Sequence, residues 1–143
     1  MQHGETILSI VFSAHALTRI AAQVTGNEAP AAQWRALSLL DSEGPLRVGE
    51  LARASRTTQP GMTRLIGQLD EEGLVQRGAD PEDSRATVVT ITTDGRAAIA
   101  AWRQEIQRAL EPRFADLDPD DWATLARAAE ILRLHTLSER NVR

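Results

Sequence analysis

The sequence predicts a mainly α-helical protein with one small β-hairpin, and three observations support this fold class. Apolar residues recur every three or four positions through most of the 143 residues, which is the spacing of amphipathic helices. Two short helical segments, joined by a brief polar turn, lie near the middle of the chain. A β-branched run at residues 87–92 follows a turn-rich acidic tip at residues 80–84, which is typical of a hairpin. This order predicts a winged helix-turn-helix core between N- and C-terminal helices.

The N-terminal part of the chain predicts two helices. Helical apolar spacing covers residues 5–25, and a Gly-Asn stop at residues 26–27, with Pro30 beyond it, marks the end of this helix. The Gly-Pro pair at residues 44–45 ends a second, shorter helix over residues 31–42. One face of that helix is apolar and contains Trp34, Leu37 and Leu40.

A helix-turn-helix pattern comes next. Residues 47–54 predict a short helix, and the polar turn at residues 55–57 follows it. Thr58 is expected to be the N-cap of the second helix, with Pro60 in the first turn, where the missing N–H of proline costs little. This helix is expected to extend to about Glu72. Its apolar residues at helical spacing are Met62, Leu65, Ile66 and Leu69.

The hairpin follows the helix-turn-helix directly. Strands are predicted at residues 74–77 and 87–92, with a loop at residues 78–85 between them. The Asp-Gly pair at residues 94–95 is expected to end the hairpin, and a long helix is expected from Arg96.

The C-terminal part predicts two helices, of which the helix from Arg96 is the first. Pro112 lies inside the apolar pattern of the first one and should kink or end it. Asp118 is expected to be the N-cap of the last helix, with Pro119 at its first position. The chain is thus expected to form a single unit, residues 1–143, with flanking helices at residues 5–25 and 96–143 and a core at residues 31–95.

Composition limits the kinds of function. There is no cysteine, which excludes disulfides, thiolate metal sites and cysteine-based redox sensing. The histidines are dispersed at His3, His15 and His135, so no metal site and no cofactor are expected. No uninterrupted apolar run approaches about 18 residues, and no basic segment precedes an apolar leader. A cytoplasmic protein that does not bind membranes is therefore expected.

The charge is unevenly distributed. The net charge is −4, which is unusual for a protein that contacts phosphates, but residues 44–68 contain four arginines and one acid. All sixteen basic residues are arginine, whose planar fork suits guanine and phosphate. Genome composition explains the same bias equally well.

The second helix of the helix-turn-helix has residues that suit base recognition. Such a helix enters the major groove with its N-terminus first. Gln59 can pair with adenine, and Arg64 with guanine. Thr58 or Thr63 can hold a phosphate or contact a thymine methyl, and Gly61 would let the backbone approach DNA closely. The alternative is a capped surface helix whose polar face is only solvated.

The hairpin offers Arg85 at its tip and Arg77 at its base. Arginine is favoured in a narrow minor groove because the negative potential is enhanced there. Asp83 could orient the Arg85 guanidinium or stabilise the hairpin. The alternative is a solvated turn with a weak surface ion pair.

The stretch from residue 48 to residue 95 resembles the MarR family of bacterial transcriptional regulators. This stretch is about a third of the chain, and its matching segments are residues 50–52, 62–66, 69–77, 80–85 and 90–95. The resemblance implies a homodimer with interdigitated terminal helices, in which each subunit presents one winged helix to a half-site of a palindromic operator. It also implies groove-facing roles for Gln59, Pro60, Gly61, Thr63 and Arg64, with Arg85 at the wing tip steadied by Asp83.

The resemblance further implies regulation, more often repression than activation, and in many relatives release from DNA by a small phenolic or lipophilic ligand. The residues expected nearest to such a ligand crevice are Phe12, His15 and Trp34, for which core packing is the alternative. The sequence has no Gly-rich phosphate loop, HExxH or Gly-x-Ser-x-Gly motif, so an enzyme is not expected. A winged helix that binds protein instead of DNA remains the alternative function, because the chain is acidic overall.

Overall fold

The computed structural model describes residues 2–26 and 31–137. The chain divides into two compact units. The terminal-helix unit comprises Met1–Asn27 and Glu105–Arg143, and the winged-helix unit comprises Glu28–Gln104. The predicted stop residue Asn27 and Pro30 lie outside the described residues.

The terminal-helix unit contains α1 (His3–Thr25), α6 (Pro119–His135) and the C-terminal part of α5 (Thr93–Leu110). Pro112 ends α5 as predicted, because the chain continues as a 3-10 helix over Glu111–Phe114. The N-cap prediction for α6 is also confirmed, since the Asp118 side chain accepts a 2.8 Å hydrogen bond from the backbone N–H of Asp121.

α1 is long and apolar. Within its 23 residues, an 18-residue stretch reaches a mean hydropathy of 1.4, and only 6% of that stretch is buried. By length and composition alone it could therefore cross a membrane, although polar residues interrupt every apolar run in its sequence. A signal sequence or an apolar helix of a soluble protein has the same properties.

The winged-helix unit contains α2 (Ala31–Glu43), α3 (Val48–Ala54), α4 (Gln59–Glu71), the N-terminal part of α5 and an antiparallel sheet. The mainly α-helical fold with a small β wing is therefore confirmed. The core lies between these helices and the sheet, and its largest fully buried side chains are Leu37, Leu40, Leu51, Met62, Ile66, Leu69, Ile99, Val75 and Val89.

The sheet has three strands in the described part of the chain, not the two that the sequence predicts. β2 (Val75–Ala79) pairs with β3 (Thr87–Ile91), and a short β1 (Leu46–Arg47) pairs with the other edge of β3. β1 was missed because two residues are too few to show an alternating pattern. The predicted loop also begins two residues too early, since Gly78 and Ala79 extend β2.

Asp94 and Gly95 were expected to end the hairpin, with the next helix beginning at Arg96, and this expectation is wrong. Both residues belong to the first turn of α5, and the Thr92 hydroxyl caps that turn by accepting the Gly95 N–H at 3.0 Å. Gly95 is needed for close packing instead, because a Cβ there would lie 2.1 Å from the carbonyl oxygen of Leu74 and 2.7 Å from Ile91 Cγ1.

Candidate nucleic-acid interface

The N-terminus of α4 is fixed by a side-chain cap. Thr58 Oγ1 accepts the backbone N–H of Gly61 at 3.2 Å, and Pro60 lies in the first turn, so both predictions are confirmed. The Thr63 hydroxyl donates to the Gln59 carbonyl at 2.9 Å and keeps its lone pairs for a further donor. The cap therefore sets the direction of the first two turns of α4.

The two faces of α4 are clearly separated. Met62, Ile66 and Leu69 are fully buried, while Gln59, Thr63 and Arg64 are exposed. Arg64 forms no ion pair with any described residue. Because the apolar face is locked into the core, the polar face is presented to solvent in one orientation.

Gly61 has a structural role that the sequence did not reveal. A Cβ at this position would lie 3.0 Å from Thr58 Oγ1 and 3.2 Å from Thr57 Cγ2. A larger residue would therefore crowd the cap of α4. This requirement is separate from the close approach to DNA predicted for Gly61.

The wing is the hairpin that β2 and β3 form. Its tip is closed by backbone hydrogen bonds and by the Asp83 side chain. The Asp80 N–H donates to the Ala86 carbonyl at 3.0 Å, and the Ala86 N–H donates to the Asp83 carbonyl at 3.0 Å. Asp83 Oδ1 accepts the Arg85 backbone N–H at 3.1 Å and lies 3.7 Å from Arg85 Nε. The Arg85 side chain is 93% exposed, so the ordered tip projects a cation into solvent.

An ion pair between Arg47 and Asp80 ties the wing to the start of α3. Arg47 Nε donates to Asp80 Oδ2 at 2.7 Å, and Asp80 Oδ1 accepts the backbone N–H of Glu82 at 2.9 Å. The Glu82 N–H and then the Arg47 guanidinium hold the pKa of Asp80 below its ordinary value, and partial burial opposes them. The sequence did not reveal this contact, because its partners are 33 positions apart.

Arg77, predicted at the base of the wing, braces β2 against α4. Its Nε donates to Asp70 Oδ2 at 2.9 Å, and its Nη2 lies 2.9 Å from the same oxygen. The Arg77 side chain is 45% exposed, so the opposite edge of its guanidinium remains accessible.

A groove of about 600 Å³ separates the N-terminal half of α4 from the wing. α3 and the wing strands form its other walls. Four arginines and one acid, Glu50, line it together with polar residues of α4. The basic and polar side chains concerned are Arg47, Arg53, Arg77, Arg85, Gln59 and Thr63. The structure thus brings Gln59, Thr63, Arg77 and Arg85 around one positively charged depression.

The three residues expected near a ligand crevice have different surroundings. Trp34 stacks on Trp102 in the winged-helix unit, with ring centroids 5.2 Å apart and an interplanar angle of 12°. Its buried Nε1 has no hydrogen-bond partner among the described residues. Phe12 and His15 are exposed on α1 and belong to the terminal-helix unit.

Comparison with known proteins identifies the chain's relatives. A sequence model of the MarR family matches residues 29–86. An HTH-type transcriptional regulator of Mycobacterium bovis is 34% identical over 100 residues, which are 70% of each chain. The HTH-type transcriptional repressor IacR of Pseudomonas putida is 26% identical over 70% of this chain and 60% of its own length.

Solved structures show the same fold. Wild-type MarR of Escherichia coli in its apo form has a TM-score of 0.74 and 22% identity, over 92% of this chain and 96% of that one. The winged helix, its ordered wing and the sequence similarity agree, and the chain belongs to the MarR family of transcriptional regulators.

Proposed function

We propose that this protein is a dimeric, sequence-specific repressor that binds a palindromic operator, with α4 in the major groove and the wing in the minor groove. DNA binding is supported at the level of the family. The observation that carries the finer proposal is the arginine-lined groove between α4 and the wing. One side of this groove is α4 and the other is the wing, and a winged helix places these two elements in adjacent grooves of DNA.

In this arrangement α4 reads bases. Gln59 and Arg64 are exposed in its first two turns, and their planar forks match adenine and guanine edges in the major groove. Thr58 and Thr63 lie beside them and suit phosphate oxygens or a thymine methyl. The buried face of α4 fixes the angle at which these side chains meet the base pairs.

The groove then holds the sugar-phosphate strand that separates the two DNA grooves. Arg53 is exposed there and forms no ion pair with a described residue, while Arg77 has one free guanidinium edge. Arg85, beyond the strand, is placed to enter the minor groove, where arginine is favoured. Asp83 and Asp80 hold the wing tip in the shape that this contact needs.

Dimerisation is supported by exposed apolar side chains on the terminal helices. Large ones on α1 and α6 are 39–64% exposed in the single chain: Ile7, Leu8, Val11, Phe12, Val24, Trp122, Leu125, Ile131, Leu132 and Leu134. Apolar surface of this extent marks an interaction site. In a two-fold dimer bound to adjacent half-sites, the two copies of α4 would lie about 34 Å apart, one turn of DNA.

Repression and ligand release are supported by one relative and by one unpaired hydrogen-bond donor. IacR, a relative at 26% identity, is named a transcriptional repressor. The buried Nε1 of Trp34 has no hydrogen-bond partner among the described residues, and a small phenolic or lipophilic effector that reached it would supply an acceptor. Phe12 and His15, exposed on α1, are separate candidates for contact with an effector. Because a regulator must reach DNA, we place the protein in the cytoplasm and assign α1 to the dimer. Catalysis is not part of the proposal, since the family consists of regulators.

Retention on immobilised duplex DNA at low salt, followed by elution with a salt gradient, tests the proposal. The protein should be retained, and Arg85→Ala should elute earlier with a flatter salt dependence, because each phosphate contact contributes about 0.9 to the slope. If the folded protein flows through at low salt, a winged helix that binds protein replaces this proposal. An unchanged salt dependence in Arg85→Ala would remove the wing from the interface.

A further inference from the structure

Arg56 has a backbone conformation that arginine rarely adopts. It lies in the turn between α3 and α4 with φ = 52°, in the left-handed region. The other positive-φ residues in the described part of the chain are all glycines, at Gly26, Gly44 and Gly73. An arginine therefore occupies a position of the kind that this chain otherwise fills with glycine.

The local hydrogen bonds explain why the left-handed conformation is required. The Arg56 N–H donates to the Arg53 carbonyl at 3.2 Å, and the Thr57 N–H donates to the Ala52 carbonyl at 2.9 Å. This is the Schellman arrangement that ends a helix, and Arg56 occupies its left-handed position, where glycine is usual. The arginine is thus held in a strained conformation by the end of α3.

The end of α4 provides an internal comparison. The Gly73 N–H donates to the Asp70 backbone carbonyl at 3.0 Å, and the Leu74 N–H donates to the Leu69 carbonyl at 2.9 Å. The same motif therefore recurs with glycine in the left-handed position. The two helices of one helix-turn-helix therefore end identically but with different residues. Since glycine is the more stable choice in this conformation, folding stability does not explain the arginine at position 56.

The surroundings of Arg56 indicate what it binds. Its side chain is exposed and forms no ion pair with a described residue. It lies two residues before Thr58, the N-cap of α4, in the segment of four arginines and one acid over residues 44–68. A long cation beside the N-terminus of a helix in the major groove reaches the flanking phosphates, which carry the negative charge there.

We propose that Arg56 binds a backbone phosphate at the edge of the major groove, and that this contact is the reason for arginine at a left-handed position. The inference rests on the proposed DNA binding and adds a residue to it. The contact is independent of base sequence, so it contributes to affinity and not to the choice of operator.

The test measures binding of each variant to a labelled random-sequence duplex of about 30 base pairs over a range of salt, together with thermal unfolding. Arg56→Gly should raise the unfolding midpoint by a few degrees, because the strain is relieved. It should also weaken binding on the order of tenfold at low salt and lower the salt slope by about 0.9. Arg56→Lys, which keeps the charge, should retain a slope near that of the wild type.

Arg35→Ala is the matched control. Arg35 is exposed on α2, forms no ion pair with a described residue, and its loss changes the net charge equally. This variant should keep the wild-type slope. A wild-type slope in Arg56→Gly, or an equal change in Arg35→Ala, would overturn the phosphate contact while leaving the proposed function intact. Failure of the folded wild type to bind the duplex at any salt would overturn both.

Discussion

At the level of single residues, ion pairs determine how much of the positive surface is available to DNA. Arg47 and Arg77 have acidic partners in Asp80 and Asp70, so their main effect is to hold the wing in place. Arg53, Arg56 and Arg64 are exposed and have no such partner among the described residues. An acidic protein can therefore present a basic surface, because its acids either lie outside that surface or form ion pairs with arginines.

Arg64 is the residue whose replacement tests base reading most directly. Arg64→Ala should cost ~1–3 kcal/mol of specific binding free energy and relax the preference at one base position. The free energy of unfolding should change little, since Arg64 is exposed. Binding is measured on an operator obtained by selection from random duplex DNA and on versions of it changed at single positions. Unchanged affinity and unchanged preference would show that the polar face of α4 does not read bases.

Asp80→Asn tests the attachment of the wing. The pKa of Asp80 lies below its ordinary value of 3.8 in the folded protein, so its carboxylate stabilises the fold above that pH. The stabilisation should be lost as pH falls below 3.8 and through the lowered pKa. The variant should therefore unfold at lower urea than the wild type at neutral pH, and this difference should disappear in acid.

Glu71→Gln is the control for this measurement, because Glu71 is exposed on α4 and has no partner among the described residues. It should follow the wild-type stability at every pH. A difference between Asp80→Asn and wild type that persists at low pH would mean that the charge of Asp80 is not what anchors the wing.

At the level of elements, the junction between the wing and α5 depends on Gly95. Gly95→Ala places a methyl group against the Leu74 carbonyl, which is backbone and cannot move aside easily. We expect a loss of ~1–3 kcal/mol or more in the free energy of unfolding, measured with urea. Gly78→Ala is the control, since nothing lies within 4 Å of a Cβ at that strand position. Equal stability of the two variants would contradict the close packing of Gly95 against the Leu74 carbonyl.

The elements also show what sequence could and could not predict. Caps at Thr58 and Asp118 and the break at Pro112 are local, and they were predicted because the signal and the structure involve neighbouring residues. β1 and the role of Gly95 depend on partners distant in sequence, so no local pattern could reveal them. Asp-Gly is a common turn signal, but here tertiary packing against Leu74 overrides it.

At the candidate site, too, local signals were predicted and contacts between distant residues were not. Gln59 and Thr63 were predicted from the helix-turn-helix pattern, and Arg77 and Arg85 from the hairpin. The structure places all four around one groove. Arg47 was not identified, because its ion pair with Asp80 joins distant segments. The strain at Arg56 was not identified either, since φ cannot be inferred from an ordinary polar turn sequence.

At the level of the whole molecule, the apolar surface of α1 should hold two copies together. Ile7 and Val11 lie one turn apart on that helix and are 62% and 43% exposed. The double variant Ile7→Glu, Val11→Glu should convert a dimer into a monomer in light scattering and strongly weaken operator binding. Ser42→Glu, which adds an acid at an exposed position of α2, should remain dimeric. A double variant that stays dimeric would place the interface elsewhere.

A two-fold regulator that reads a palindrome should select one from a random pool of duplex DNA at moderate salt. We expect an enriched palindrome whose half-sites are centred about one helical turn apart. A protein that is folded and dimeric but enriches no sequence, or only an asymmetric one, would contradict it.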